Sequence, residues 1–338
     1  MTTETAVTTG PADGRTPDAL LSVQDLGMTF PGARGTLRRL PGVRAVDGVT
    51  FDVRPGETLG LVGESGCGKS TTGRMLVRLL DPTAGTVRFR GQDITRTPQG
   101  RLRPLRGKFQ MIFQDPFASL NPRQTVQQII GAPLRAQGAS TEKIRAEVRD
   151  LVRLVGLAPE HLERYPHQFS GGQAQRIGIA RALATRPELV VADEPVSALD
   201  VSIQAQIVGL MERLQRELGV AYVFIAHDLA VVKHISHRVA VMYLGQIVEI
   251  GDKQQVYDRP AHPYTKALLS AVPLPDPAAE RARERIVLLG DPPSPANPPS
   301  GCTFHPRCPK AQALCRTEAP LLTPHTPTRQ VACHFPEA

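Results

Sequence analysis

At 338 residues the chain has room for one large α/β domain and an appendage. It holds no apolar run near the roughly 18 residues that a membrane-spanning helix needs, and its polar, threonine-rich start, Met1 to Asp18, lacks the apolar core of a secretory signal. The net charge of +8 comes from dispersed bases and aromatic residues make up only 4% of the chain, which argues against a nucleic-acid partner. The local clusters Arg34, Arg38, Arg39, Arg44 and Arg101, Arg103, Arg106, Lys108 suit either a basic face near anionic lipid headgroups or a solvated surface.

In chain order, the first chemical signal comes after the apolar run Thr58 to Val62. Gly63, Glu64, Ser65, Gly66, Cys67, Gly68, Lys69 and Ser70 match G-x-x-x-x-G-K-[ST] at every fixed position, and Thr71 to Val77 reads as a helix. Glycines let successive backbone N–H groups turn toward phosphates, and the helix N-terminus adds partial positive charge. Lys69 is placed to pair with the β- and γ-phosphates of a nucleotide and Ser70 to coordinate magnesium, with Thr71 next in the cradle. Cys67 reads as a small filler within the loop.

Gln114 comes after the apolar run ending Met111-Ile112-Phe113, and its amide can bind magnesium or a water. The spacing of Ile144, Val148, Leu151, Val152 and Val155 predicts a helix over Ser140 to Gly156, with Glu142 near its start and glycine at its stop. Leu189 to Asp193 reads as a fully buried parallel strand ending in an acid, where Asp193 can hold magnesium beside the phosphate loop. Glu194, one residue beyond, is either a surface glutamate or a base that polarises water for attack. Ile203, Ile207, Leu210, Met211, Leu214 and Leu218 predict the core face of another helix, ending at Gly219. His227 closes the run Tyr222 to Ala226, at a strand end facing the same crevice, where a neutral imidazole can sense a phosphate or serve structure.

These elements together resemble the ATP-binding subunits of ABC transporters. Ser170-Gly171-Gly172-Gln173 matches the family's signature loop, Gln114 its glutamine loop, Ser197-Ala198-Leu199-Asp200 its D-loop and His227 its switch histidine. Phe30 stands where the family has an aromatic that stacks on adenine, although an arginine-rich insertion from Pro31 to Val43 comes next and a core phenylalanine is the alternative. Order and spacing agree with the family over roughly residues 20–265. The departures are Phe169 for the usual leucine, familiar in the peptide-importer branch, and Ala174 where many members have arginine.

The resemblance implies a P-loop NTPase core of the ABC ATPase type, with an antiparallel β subdomain and an inserted helical subdomain over about 116–170. The domain spans 19–265, after a flexible N-terminus over 1–18. The signature loop implies head-to-tail pairing with a second ATP-binding subunit, so that Ser170, Gly171, Gly172 and Gln173 complete the partner's ATP site. Catalysis then falls to Glu194, His227 and Gln114, and magnesium to Ser70, Gln114 and Asp193. A permease helix docks near Asp115 to Asn121 in related importers. The cytoplasmic face of the membrane is the implied location, with the chain held there peripherally.

Beyond Pro260 the chain becomes proline-rich and carries four of its five cysteines. His262-Pro263-Tyr264, Gly290-Asp291-Pro292-Pro293 and Gly301-Cys302-Thr303-Phe304-His305-Pro306-Arg307-Cys308 resemble the C-terminal extension of oligopeptide/dipeptide importers, here 266–338. That branch implies two permeases, a related but different second ATPase and an extracellular binding protein. Import of nickel or another small solute is the alternative within the branch, and a soluble non-transport ABC ATPase the alternative outside it. Cys302, Cys308, Cys315 and Cys333 are spaced C-x5-C-x6-C-x17-C, too concentrated for filler in a reducing compartment. They suit a 4Fe-4S cluster, which members of the branch hold, or zinc, to which His305 and His334 are further possible ligands; free thiols are the third reading.

Overall fold

A computed structural model describes residues 18–32, 42–273, 276, 278, 281 and 285–337. The N-terminal stretch to residue 17, and Arg34, Arg38 and Arg39 of the insertion, lie outside the described residues.

The chain opens with β1 (Leu21–Phe30), β2 (Val43–Val53), β3 (Thr58–Val62), helix α1 (Lys69–Leu76), β4 (Ala84–Phe89), β5 (Gln92–Asp93) and the single turn α2 (Gln99–Leu102). It continues with β6 (Phe109–Ile112), α3 (Pro116–Ser119), α4 (Val126–Ala136), α5 (Thr141–Leu154), α6 (Gly171–Leu183), β7 (Leu189–Asp193), α7 (Val201–Leu218) and β8 (Ala221–Ala226). Next come α8 (Leu229–Ile235), β9 (Arg238–Tyr243), β10 (Gln246–Asp252), α9 (Lys253–Asp258), α10 (Pro263–Ser270), a short helix at Ala313–Thr317, β11 (Thr323–Thr326) and β12 (Arg329–Val331).

Two sheets result. One is antiparallel, in the order β2-β1-β4-β5. Its strands alternate: Leu21 and Val23, Val49, Phe51 and Val53, and Val87 and Phe89 are buried at every second position, so one face meets the core. The larger sheet runs β11-β12-β10-β9-β3-β8-β7-β6, with β9, β3, β8, β7 and β6 parallel. β3, β7 and β8 are buried at every residue, as strands covered on both faces must be. Tyr222 and Phe224 pack with the helical side, while Val223 and Ile225 pack with α1 and the antiparallel sheet.

The expected helix over 140–156 forms as α5. Ser140 caps it by accepting from the Lys143 N–H at 3.3 Å, and Gly156 lies just past its end with φ of 73°, a left-handed conformation that a side chain resists. Ile144, Val148, Leu151 and Val152 are buried against α4 and α6, each contributing about 1.5–3 kcal/mol. Val155 is buried as well, but it is the capping residue beyond the last turn. In α7 the expected face is correct at Ile207, Leu210, Met211 and Leu214, and Gly219 ends the helix at φ of 68°. Leu218, expected in that face, is instead 48% exposed, where it lines an open cavity with Leu151 and Leu154 of α5 and Leu183 of α6.

The C-terminal segment is woven into the main sheet. β12 pairs antiparallel with β10, Glu249 opposite Val331. Buried Glu249 accepts from the Ala261 and His262 N–H groups at 3.0 and 2.9 Å and lies 3.8 Å from the Arg329 guanidinium. Among the described residues no helix is long and apolar enough to cross a membrane.

Candidate active site

Because β3, β6, β7 and β8 are parallel, their carboxyl ends share one edge of the sheet, and the loops leaving those ends meet there. After β3 the phosphate loop turns with Gly63, Gly66 and Gly68 at φ of 155°, 79° and 105°. A Cβ at Gly63 would stand 2.1 Å from the Met242 carbonyl oxygen, and one at Gly68 2.2 Å from that of Ala45, so no other residue fits either place. Lys69 Nζ donates to the carbonyls of Gly63 and Glu64 at 2.7 and 2.9 Å. Cys67 packs beneath the loop as the expected filler, its thiol pushed up by burial.

Ser70, in the first turn of α1, donates to the Asp193 carboxylate at the end of β7 at 2.7 Å. Asp193 is 1% exposed, and burial pushes its carboxyl up against the opposing effect of that hydrogen bond. A hydroxyl and a carboxylate are the hard oxygen donors that magnesium prefers, so the pair fits that ion.

Glu194 has φ of 46°, a conformation that costs a non-glycine residue of order 1–3 kcal/mol. Its N–H donates to the Ile225 carbonyl at 2.9 Å, and its own carbonyl accepts from the Ser197 hydroxyl at 3.1 Å. The carboxylate accepts from the Gln114 amide at 3.1 Å and lies 3.3 Å from His227 Nδ1. Gln114, Glu194 and His227, the group that the family resemblance implies for catalysis, therefore meet at one carboxylate oxygen. A neutral imidazole that donates through Nδ1 keeps no N–H at Nε2, so a phosphate contact from His227 needs the ring to turn or a second proton.

The signature residues stand elsewhere on the molecule's surface, at the start of α6. Ser170 Oγ accepts from the Gln173 N–H at 3.4 Å while Gln173 Oε1 accepts from the Ser170 N–H at 3.1 Å, a reciprocal cap. Gly172 is required by the approach of Ile203, whose Cγ2 would lie 2.6 Å from an added Cβ. Ala174 is fully buried. Phe169 packs edge-on against His161 at 5.3 Å. Phe30 ends β1 and is 40% exposed, so the core alternative is not realised.

The four C-terminal cysteines are free thiols. Cys302 and Cys315 are joined through backbone, the Cys302 N–H donating to the Cys315 carbonyl at 2.9 Å. Burial pushes the Cys302 thiol up to about 11, with Cys333, Cys315 and Cys308 adding to the rise, so the four are neighbours. Yet among the described residues no group of three or more His, Cys, Asp or Glu side chains is arranged to hold a metal. His305 and His334 are turned to the carbonyls of Cys302 and Glu318, each at 2.9 Å. The expected cluster, and zinc in its place, thus lack a fitted ligand set.

Two contacts to the phosphate loop escape any reading by motif. The Glu64 N–H donates to the Tyr264 hydroxyl at 3.0 Å, and the Glu64 carboxylate is paired with Arg307 at 2.9 Å. Their sequence signals, His-Pro-Tyr and His-Pro-Arg, mark the extension but carry no information about the partner.

A phosphate loop, a buried acid beside its hydroxyl, and a second carboxylate at the same strand end on one edge of a mostly parallel sheet are the features of a P-loop ATPase. Family models for ABC transporters match residues 46–197, and for the C-terminal region of oligopeptide/dipeptide transporters residues 248–315. The chain is 54% identical over 321 residues to the oligopeptide transport ATP-binding protein AppF of Bacillus subtilis, covering 94% of this chain and 98% of that one. It is 53% identical over 308 residues to OppF of Salmonella typhimurium, covering 90% and 92%. Among solved structures, the post-hydrolysis dimer of the ATP-binding cassette MJ0796 bound to ADP and Pi superposes with a TM-score of 0.61 at 27% identity, over 69% of this chain and 98% of that one. Clostridium perfringens cbiO1, part of the transporter complex cbiONQ, gives 0.62 at 26% identity, over 72% and 92%. The chain belongs to the ABC transporter family, in its oligopeptide/dipeptide branch, and is an ATP-hydrolysing subunit.

Proposed function

We propose that this subunit powers peptide import, working beneath two membrane permeases and beside a second, related ATPase, with an extracellular binding protein delivering the solute. The convergence of Gln114 and His227 on Glu194, next to the Ser70–Asp193 pair, carries the reading. The names of the relatives favour peptides over nickel. With no membrane-crossing helix among the described residues, attachment at the cytoplasmic face runs through the permeases, near Asp115 to Asn121. We assign 19–265 to the ATP-binding domain, with about 116–170 as its helical subdomain, and 266–338 to the importer-type extension.

In this mechanism the loop N–H groups and Lys69 bind the ATP phosphates, and Phe30 stacks on adenine. Ser70, Asp193 and Gln114 would hold magnesium, which neutralises charge on the β- and γ-phosphates. Glu194 takes a proton from water as its oxygen attacks the γ-phosphorus, and the bond to the bridging oxygen breaks to leave ADP and phosphate. Gln114 fixes the direction of the Glu194 carboxylate. Ser170, Gly171, Gly172 and Gln173 complete the site of the opposite subunit, so ATP closes the dimer and hydrolysis reopens it.

A 4Fe-4S cluster does not enter this reading, since the thiols are gathered without forming a ligand set. Iron and zinc content of anaerobically prepared protein addresses it separately from ATP hydrolysis. Uptake by vesicles holding the assembled transporter and its binding protein tests the function: ATP-dependent accumulation of peptide is expected, and accumulation of nickel without peptide would refute it.

A further inference from the structure

Glu64, in the phosphate loop, is gripped on all three of its polar groups. Its carbonyl accepts from Lys69, its N–H donates to Tyr264, and its carboxylate takes three hydrogen bonds from Arg307, from Nη1 at 2.9 and 3.2 Å and from Nη2 at 3.2 Å. The last is a bidentate fork, the geometry in which arginine binds carboxylates most strongly. The Arg307 side chain is 8% exposed and that of Glu64 27%, so water screens the pair less than it screens a surface ion pair.

Arg307 is itself held in place. It ends the helical turn His305–Arg307, and the preceding Phe304 is buried in a cluster of rings, 5.2 Å from Tyr243 and 5.4 Å from Tyr264, which stand 4.7 Å from each other. The Tyr243 hydroxyl lies beside the guanidinium. The ring cluster thus anchors Tyr264 and Arg307, the two residues that reach Glu64 from outside the loop, and both come from beyond β10 in the chain.

Resting on the reading of Gly63 to Ser70 as the ATP site, we propose that Arg307 is a positioning residue for ATP, acting through Glu64. A free carboxylate in a loop that must cradle a polyanion repels it. Arg307 neutralises that carboxylate and at the same time ties the first turn of the loop to the C-terminal extension. The extension is then a working part of the nucleotide site, and any change in the turn between Cys302 and Cys308 reaches the phosphates through this pair.

The test is a double-mutant cycle on the full chain, read as equilibrium affinity for magnesium-ATP and for ADP. Arg307→Gln should weaken ATP about tenfold and ADP less, because the penalty grows with ligand charge. In a Glu64→Gln background, Arg307→Gln should change ATP affinity less than about twofold, since no carboxylate remains to be neutralised. An equal loss in both backgrounds would make Arg307 a plain structural anchor and overturn the proposal, as would unchanged ATP affinity in Arg307→Gln. Should Arg307→Gln fail to fold, Arg307→Lys decides instead: it keeps the charge and loses only the fork, so ATP affinity should stay within about threefold of wild type, and a roughly tenfold loss equal in both backgrounds would overturn the proposal. Failure of the wild-type chain to bind ATP, or binding unaffected by Lys69→Ala, would instead count against the site reading itself.

Discussion

The Ser70 hydroxyl donates to the Asp193 carboxylate at 2.7 Å, across 123 positions of sequence. The contact exists because β3 and β7 both flank β8 in parallel register, which brings the start of α1 to the end of β7. Asp193→Asn keeps the shape and removes the charge. ATP binding should lose its dependence on magnesium, and hydrolysis should fall at least about a hundredfold, a loss of ~2.7 kcal/mol in transition-state stabilisation. Titrating magnesium against nucleotide affinity in the two proteins checks this, and an unaltered dependence would remove Asp193 from the metal site.

Glu194→Gln should bind ATP as the wild type does and hydrolyse it about 100- to 10,000-fold more slowly, the usual cost of a lost general base. The amide can still accept from Gln114, so the local geometry survives. Closed dimers should accumulate when the variant is assembled with its partners. Wild-type turnover in that assembly would show that another group activates the water.

Ser170→Arg should silence a dimer while leaving ATP bound normally to the phosphate loop of the same chain. Loss of the cap on α6 costs about 1 kcal/mol, too little to unfold the subunit. Nucleotide affinity of the isolated variant, set beside hydrolysis in the assembled transporter, separates the two effects. Abolished binding in the isolated chain would contradict the two-subunit sandwich.

His262 is buried, and burial pushes its imidazole down to about 3. Its Nδ1 accepts from the Tyr264 N–H at 3.1 Å, which only an unprotonated nitrogen can do. The folded value lies below the unfolded 6.5, so this contribution to stability is present above pH 6.5 and is lost as pH falls toward 3, at up to ~1.4 kcal/mol per unit. His262→Asn keeps an acceptor at the cap and should flatten that slope in denaturant unfolding between pH 6.5 and 4. An identical slope in both proteins would mean that other groups set the acid limit.

What is encoded locally can be read along the chain. The phosphate loop is legible because its residues are contiguous and their types and spacing are dictated by the backbone N–H groups that must face a phosphate. The strands ending at Val62, Asp193 and Ala226 are legible because burial on both faces demands an unbroken apolar run. The remaining features arise from long-range packing. That Gln114 and His227 meet on Glu194 depends on strand order and register, which no single strand specifies. Leu218 has the right period for a core face and is exposed, since period cannot say whether facing side chains close over it; here an open cavity separates it from α5 and α6. The cysteine spacing suggests a metal centre, but ligation requires side chains to converge, and spacing across several short elements and their connections does not set that. Arg307 and Glu64 lie 243 positions apart, and only the seating of Phe304 among Tyr243 and Tyr264 brings them together. Pairings over such distances depend on shape complementarity in the folded core, which leaves no periodic trace in the residues that make them.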